Sequence, residues 1–306
     1  MHFLKRLHRL VGLDLLGALL CASVLAYVCL HTPSVRREEA TKLAFRRSLS
    51  AEQMQAQTVM VMTDHGEGSG VVIHRGDKTF VWTAAHVVRH VSDVVVQQRF
   101  RFNGVQAGFQ SFKGRVICRL PDTDAALLWV DAPPDRLVGA EWCGASLGPG
   151  SPVFAVGNIL GHNFDDSITE GIVSQVGVSP TELDGWPWRT VDQATVAAIP
   201  GVSGGPLFSD AGKIAGIVVG GPNRPGVACY IPLRVIYAAA QEANVTWAIY
   251  GQHAPPDKVL KEAVVSATEP PEPDGLLKLL IGALPPVPDH PAPAKPTKPV
   301  KSPKSK

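Results

Sequence analysis

From Thr58 to Pro232 the chain is a succession of short β-branched and apolar runs, each closed by a turn signal. A first set comprises 58-TVMVMTD-64, 69-SGVVIHR-75, 79-TFVWTAAH-86, 93-DVVVQQR-99 and 125-AALLWVD-131. A second comprises 152-PVFAVGN-158, 167-SITEGIVSQVGV-178, 188-WRTVDQATV-196, 213-KIAGIVVGG-221 and 226-GVACYIP-232. Many short strands at such spacing fold as an all-β sandwich or barrel. The turn 209-SDAG-212 joins two runs as a hairpin does. One helix is predicted, over 233-LRVIYAAAQEA-243 after Pro232, and no internal sequence repeat is evident.

The flanks differ in character. Residues 1–9 are basic, with Lys5, Arg6 and Arg9, and residues 10–30 are almost wholly apolar, with Asp14 as the one charge. At helical rise that run is about 30 Å long, enough to cross a bilayer. Its length favours an uncleaved signal anchor, a transmembrane helix ahead of the β domain. The small residues around 24-VLA-26 offer the alternative of a cleaved signal peptide. The basic start places the body outside the cytoplasm, on the periplasmic side in a bacterium. Arg36, Arg37, Lys42, Arg46 and Arg47 after the span weigh the other way. Residues 31–56 read as a helical stalk, 57–247 as the folded domain, and 248–306 as a Pro- and Lys-rich tail expected to be disordered or extended. Within the tail, 276-LLKLLIGAL-284 is too short to span a membrane.

Composition narrows the function classes. The net charge of +2 is near neutral, and the basic residues do not interleave with aromatics, so no nucleic-acid partner is expected. No His/Cys cluster has zinc spacing, so no metal is expected, and no cofactor motif is present. Beyond the apolar run lie three cysteines, Cys118, Cys143 and Cys229, which allow at most one disulfide.

The stretch 200-PGVSGGPLFSD-210 surrounds Ser203 with Gly201, Gly204 and Gly205. Glycine weakens a strand, so three around one hydroxyl suggest that the backbone has a task. Upstream, 82-WTAAHVV-88 ends an apolar strand on His86, and 121-PDTDAALLWV-130 puts Asp124 at the start of another. Asp122 would share its face on a strand. Asp124 is preferred because it directly precedes AALLWV.

The order His86, Asp124, Ser203 is that of chymotrypsin-like enzymes. The segments 68-GSGVVI-73, 82-WTAAHVV-88, 123-TDAALLWV-130, 153-VFAVGNILG-161, 170-EGIVSQVG-177, 201-GVSGGPLFSDAGKIAGIVVG-220 and 229-CYIP-232 together resemble trypsin-like serine proteases of the HtrA/Deg branch. The resemblance covers roughly residues 57–244. It implies two six-stranded β-barrels of the chymotrypsin type with an active site between them. It also implies a serine endopeptidase acting on protein or peptide substrates, with a role in protein quality control and homo-oligomers of the kind the family forms.

By the same resemblance His86, Asp124 and Ser203 are the catalytic triad, and the Gly201 and Ser203 N–H groups form the oxyanion hole. The primary specificity pocket has Ala197 at its base and Val218, Val219 and Gly220 along its wall, which suits small to medium aliphatic residues before the scissile bond. Two features depart from the family. Residues 248–306 leave no room for the PDZ domains that usually follow the protease, and Thr195 stands where an aspartate is frequent. A catalytically inactive, membrane-tethered binding module on the same fold is the alternative, against which the intact triad counts.

Overall fold

The computed structural model describes Tyr27 and residues 51–102, 105–159, 164–179, 190–221, 226–251 and 253–263. The first six strands are β1 (Thr58–Thr63), β2 (Gly66–Arg75), β3 (Lys78–Ala84), β4 (Asp93–Phe102), β5 (Val105–Leu120) and β6 (Ala125–Val130). They close into a barrel in the order β1-β2-β3-β6-β5-β4. The next six are β7 (Pro152–Ile159), β8 (Phe164–Val178), β9 (Val191–Ala194), β10 (Pro206–Ser209), β11 (Ile214–Gly220) and β12 (Ala228–Pro232). These close in the order β10-β11-β12-β9-β8-β7. Read from its first strand, each barrel has the same permutation, and every pairing is antiparallel. Closure leaves neither sheet an open edge.

The continuous apolar runs follow from burial on both strand faces. On β6, Ala126, Leu128 and Val130 point into the first barrel with Val61, Val81 and Val116. The alternate residues Ala125 and Leu127 face outward and join Phe80 and Trp82 in a larger cluster shared with Phe208, Ile217 and Ile231 of the second barrel. That cluster cements the two barrels together. Trp82 meets Trp142, from the segment linking the barrels, edge-on, with ring centroids 6.0 Å apart. The interior of the second barrel is filled by Val153, Val173, Val196, Val202, Leu207, Val218 and Tyr230.

Strand β5 is absent from the sequence-predicted set. It carries Lys113, Arg115 and Arg119 and two glycines, so its apolar signal is diluted. Its place is set by pairing, with β4 on one side and β6 on the other. The hairpin at 209–212 closes as expected, Gly212 N–H donating to Ser209 O at 3.0 Å. The helix runs Leu233–Glu242. It ends where Asn244 takes a φ of 57° and Val245 N–H reaches back to Ala240 O at 2.8 Å.

The expected boundary at 247 falls inside a docked segment. Short helices at Trp247–Tyr250 and Asp257–Glu262 follow, and Ala248, Ile249 and Leu260 are buried in the shared cluster. Arg75 of β2 holds this segment. Its Nε donates to Trp247 O at 2.9 Å and its Nη2 to Ala248 O and Ile249 O at 2.7 and 2.6 Å. At the other flank residues 51–56 are helical, and Met54 is buried in the same cluster, so the folded unit begins before residue 57. Cys118, Cys143 and Cys229 are free thiols. Burial pushes Cys118 and Cys229 up to about 11, which keeps them protonated and inert at neutral pH. Among the described residues no helix is long and apolar enough to cross a membrane. The expected span 10–30, apart from Tyr27, most of the stalk and the tail beyond 263 lie outside the described residues.

Candidate active site

Strand register brings His86 and Asp124 together. In the β3–β6 ladder Ala84 pairs with Ala125, so the residues just beyond, Ala85 and Asp124, face each other. Ala85 N–H donates to Asp124 O at 2.9 Å. Beyond it the chain turns through a 3-10 helix, Ala85–Val88, and the Asp124 carboxylate accepts from two donors of His86. Oδ1 accepts the backbone N–H at 2.8 Å and Oδ2 accepts ring Nδ1–H at 2.7 Å.

A buried carboxylate with two accepting oxygens requires the proton on Nδ1, which leaves the basic lone pair on Nε2. Burial opposes the imidazolium form of His86. The Asp124 charge and hydrogen bond outweigh burial, Arg89 works against them, and the net shift is upward.

Asp124 and Asp122 do not share a strand face. Pro121–Thr123 is a 3-10 helix ahead of β6. Asp122 is exposed on it and Asp124 is 3% exposed. Asp124 also has a φ of 55°, a left-handed conformation that costs energy outside glycine and asparagine. Its three hydrogen bonds to residues 85 and 86 hold it there.

Ser203 sits in the loop entering β10, packed against the end of β3. Gly204 has a φ of 84°, and a Cβ there would lie 2.2 Å from both Ser69 O and Thr83 Oγ1 and 2.8 Å from Ala84 N. No side chain fits, so the glycine after the serine is what lets the loop press onto the strand that leads into His86. On the other side, a Cβ at Gly68 would lie 2.7 Å from Val87 Cγ2 and 2.9 Å from Ser203 O. Ser203 is thus wedged between β2 and the His86 turn. Gly204 N–H and Val218 N–H then start the β10–β11 ladder, donating to Val218 O at 2.7 Å and Gly205 O at 2.8 Å.

The backbone amides around the serine divide into two groups. Val202, Gly204 and Gly205 N–H donate to backbone carbonyls. Gly201 and Ser203 N–H donate to none among the described residues, and Gly201 has a φ of 98°. Two such amides two residues apart beside a serine hydroxyl are available to receive an anion.

Of the expected pocket residues, Ala197 and Gly220 are half-buried and Val218 and Val219 are buried. Val218 belongs to the second barrel's interior and Val219 to the shared cluster, the alternation that a strand imposes. The segments carrying Ala197 and Gly220 abut: a Cβ on Gly221 would lie 3.2 Å from Ala198 Cβ. Ala197 N–H donates to Thr169 Oγ1 at 3.3 Å. Asp192 of β9, fully buried, is engaged by Arg234 at 2.7 and 2.5 Å, by Gly177 N–H at 2.8 Å and by Tyr230 OH at 3.4 Å. Thr195 ties β8 to β9, its N–H donating to Ile172 O at 3.0 Å and its Oγ1 accepting Ile172 N–H at 2.9 Å.

Sequence reasoning did not single out Ser69, which touches this loop from β2. Its N–H donates to Ser203 O at 2.7 Å and its Oγ to Gly201 O at 2.6 Å. The one local signal is a polar residue between two glycines just ahead of the apolar run Val71–Ile73.

Residues 68–217 match the trypsin-like peptidase domain family. The chain is 28% identical over 250 residues to protease Do-like 1, chloroplastic, of Arabidopsis thaliana, which covers 78% of this chain and 54% of that protein. It is 34% identical over 153 residues to a probable periplasmic serine endoprotease DegP-like of Pseudomonas putida, covering 49% of this chain and 28% of that protein. The chain therefore spans about half or less of the length of these relatives. In fold it is similar to the inactive form of a serine-to-alanine mutant of Rv3671c from M. tuberculosis H37Rv, with a TM-score of 0.53 at 23% identity over 64% of this chain and 91% of that one. Paired six-stranded barrels, a family match that runs through both, and Do-like relatives converge on one assignment: residues 68–217 form a trypsin-like peptidase domain, similar to those of HtrA/Deg-type serine proteases.

Proposed function

We propose that the protein is a serine endopeptidase that hydrolyses peptide bonds through His86, Asp124 and Ser203. The observation that carries this reading is the hydrogen-bonded His86–Asp124 pair set against a glycine-packed serine beside two unpaired amides. Ser203 Oγ attacks the scissile carbonyl while His86 Nε2 takes its proton, since a free hydroxyl is a weak nucleophile at neutral pH. Asp124 keeps the imidazole in the required tautomer and stabilises the imidazolium. The oxyanion of the tetrahedral intermediate is received by the Gly201 and Ser203 N–H groups. Loss of one such donor costs about 3–4 kcal/mol in comparable sites. The imidazolium then returns its proton to the leaving amine, and water repeats the sequence to free Ser203. The apolar side chains of Ala197, Val218 and Val219, with no acid among these positions, favour small to medium aliphatic side chains before the scissile bond.

The substrates in this reading are unfolded proteins or peptides, in keeping with a role in protein quality control, and the enzyme assembles into homo-oligomers. Residues 10–30 anchor it, with the barrels on the extracytoplasmic side, a reading supported by the apolar length of that run and by the periplasmic designation of the Pseudomonas relative. Ser203→Ala should abolish casein hydrolysis with an unchanged Tm. Hydrolysis at the parent rate would refute the nucleophile assignment. Full-length protein should resist alkaline carbonate extraction from membranes and a form lacking residues 1–30 should not. A full-length protein that washes off would remove the anchor from the account.

A further inference from the structure

We propose that Ser69 is the positioning residue of the oxyanion hole, its hydroxyl proton fixed on the Gly201 carbonyl so that the Gly201 and Ser203 amides face the reacting oxygen. The inference rests on the endopeptidase reading and adds to it a residue that touches neither substrate nor reacting atoms. A hydroxyl has one proton and two lone pairs. Asn158 of β7 supplies two donors to Ser69 Oγ, its backbone N–H at 2.9 Å and its side-chain Nδ2 at 3.3 Å. Both lone pairs are thereby occupied. The proton is left one partner, Gly201 O at 2.6 Å. The hydroxyl rotor is thus set by the second barrel, although Ser69 belongs to the first.

The consequence falls on the peptide that follows Gly201. Rotating that peptide would carry Gly201 O away from Ser69 and swing the Val202 N–H out of its bond to Ile199 O, 3.1 Å long. Two residues on, Ser69 N–H pins Ser203 O at 2.7 Å. One residue therefore holds the Gly201–Val202 and Ser203–Gly204 peptides, which adjoin the Pro200–Gly201 and Val202–Ser203 peptides that carry the two amides of the hole. Gly201 needs such a hold because a glycine at φ 98° has no side chain of its own to resist rotation. The slot around Ser69 is closely fitted. A Cβ at Gly157 would lie 3.0 Å from its Oγ, and one at Gly205 3.1 Å from its Cβ. Ser69 itself is buried, and Thr83 Oγ1 donates to its carbonyl at 2.7 Å. A wandering anion cradle loses much of its worth, since preorganisation is what makes such donors effective.

The test compares full-length wild type with Ser69→Ala in fluorescein-casein turnover, in the rate of labelling by diisopropyl fluorophosphonate, in the pH profile of kcat/KM, and in Tm. Ser69→Ala is expected to lower kcat and the labelling rate about 10- to 100-fold, as small misplacements of catalytic groups do. KM should stay within about twofold, and the acid limb should not move, because the His86–Asp124 pair is untouched. Ser69→Cys keeps the shape with a weaker donor and should fall between the two, which covers the case in which alanine does not fold. A folded variant with kcat within about twofold of wild type overturns the proposal, as does a loss of rate accompanied by a shifted acid limb. Loss of folding in both variants would make Ser69 a folding determinant and overturn it as well. A wild type inert to both casein and fluorophosphonate would overturn the endopeptidase reading itself, and the positioning role with it.

Discussion

At the scale of single residues the account turns on His86 and what surrounds its ring. Burial lowers the affinity of His86 for a second proton, the Asp124 carboxylate raises it by more, and Arg89 lowers it again. With the native value above the ordinary 6.5 or so, activity should fail as pH drops through that raised value, because a protonated imidazole cannot act as a base. The linked stability has the complementary sign. The extra native stability is fully present below the unfolded value and is lost as pH rises through the native one. Removing Arg89 removes a downward influence, so Arg89→Gln should move the acid limb of kcat/KM to higher pH. A limb that stays put or moves down would contradict this assignment of causes.

The carboxylates can be separated by the same assay. Asp124→Asn should lower kcat by about 10⁴ through the wrong tautomer. Asp122→Asn, at an exposed position outside the hydrogen-bonded pair, should leave it within about twofold. The three local motifs around His86, Asp124 and Ser203 were legible in the sequence because each is a short string of fixed residue types. Ser69 and Asn158 were not, because their partners lie 132 and 89 positions away, and nothing in either string encodes that distance.

At the scale of elements, legibility followed burial. Strands such as β3 and β6, apolar on both faces, announced themselves. Strand β5, with Lys113 and Arg115 exposed, did not, and only its neighbours β4 and β6 specify it. The short helices after 246 were read as tail because their composition is that of a linker. The first is held by one buried guanidinium, whose donors end on the carbonyls of Trp247, Ala248 and Ile249, and the second by buried Leu260 and the Lys78–Asp257 ion pair at 3.1 Å. Arg75→Ala strips those donors from a buried site and should destabilise the protein by about 2–4 kcal/mol. Limited proteolysis should then cut first between residues 243 and 257. Unchanged stability with no new cut would show that the apolar contacts of Ala248, Ile249 and Leu260 suffice to dock the segment.

At the scale of the whole molecule the chain uses one strand permutation twice, β1-β2-β3-β6-β5-β4 and β7-β8-β9-β12-β11-β10. The sequence shows no repeat because a closed antiparallel barrel constrains alternation and turn chemistry far more than residue identity. The proposed site draws on both halves: the first supplies His86, Asp124 and Ser69, the second Ser203, Gly201 and Asn158. In that reading the shared apolar cluster between the barrels keeps the two sets of residues together.

The most direct test of that assembled site is covalent. Native protein treated with a fluorophosphonate at neutral pH should gain one adduct per chain, located by mass spectrometry on the peptide containing Ser203. The adduct should be absent in Ser203→Ala and form far more slowly in Asp124→Asn. No adduct on the native protein, or an adduct on any other serine, would contradict the account.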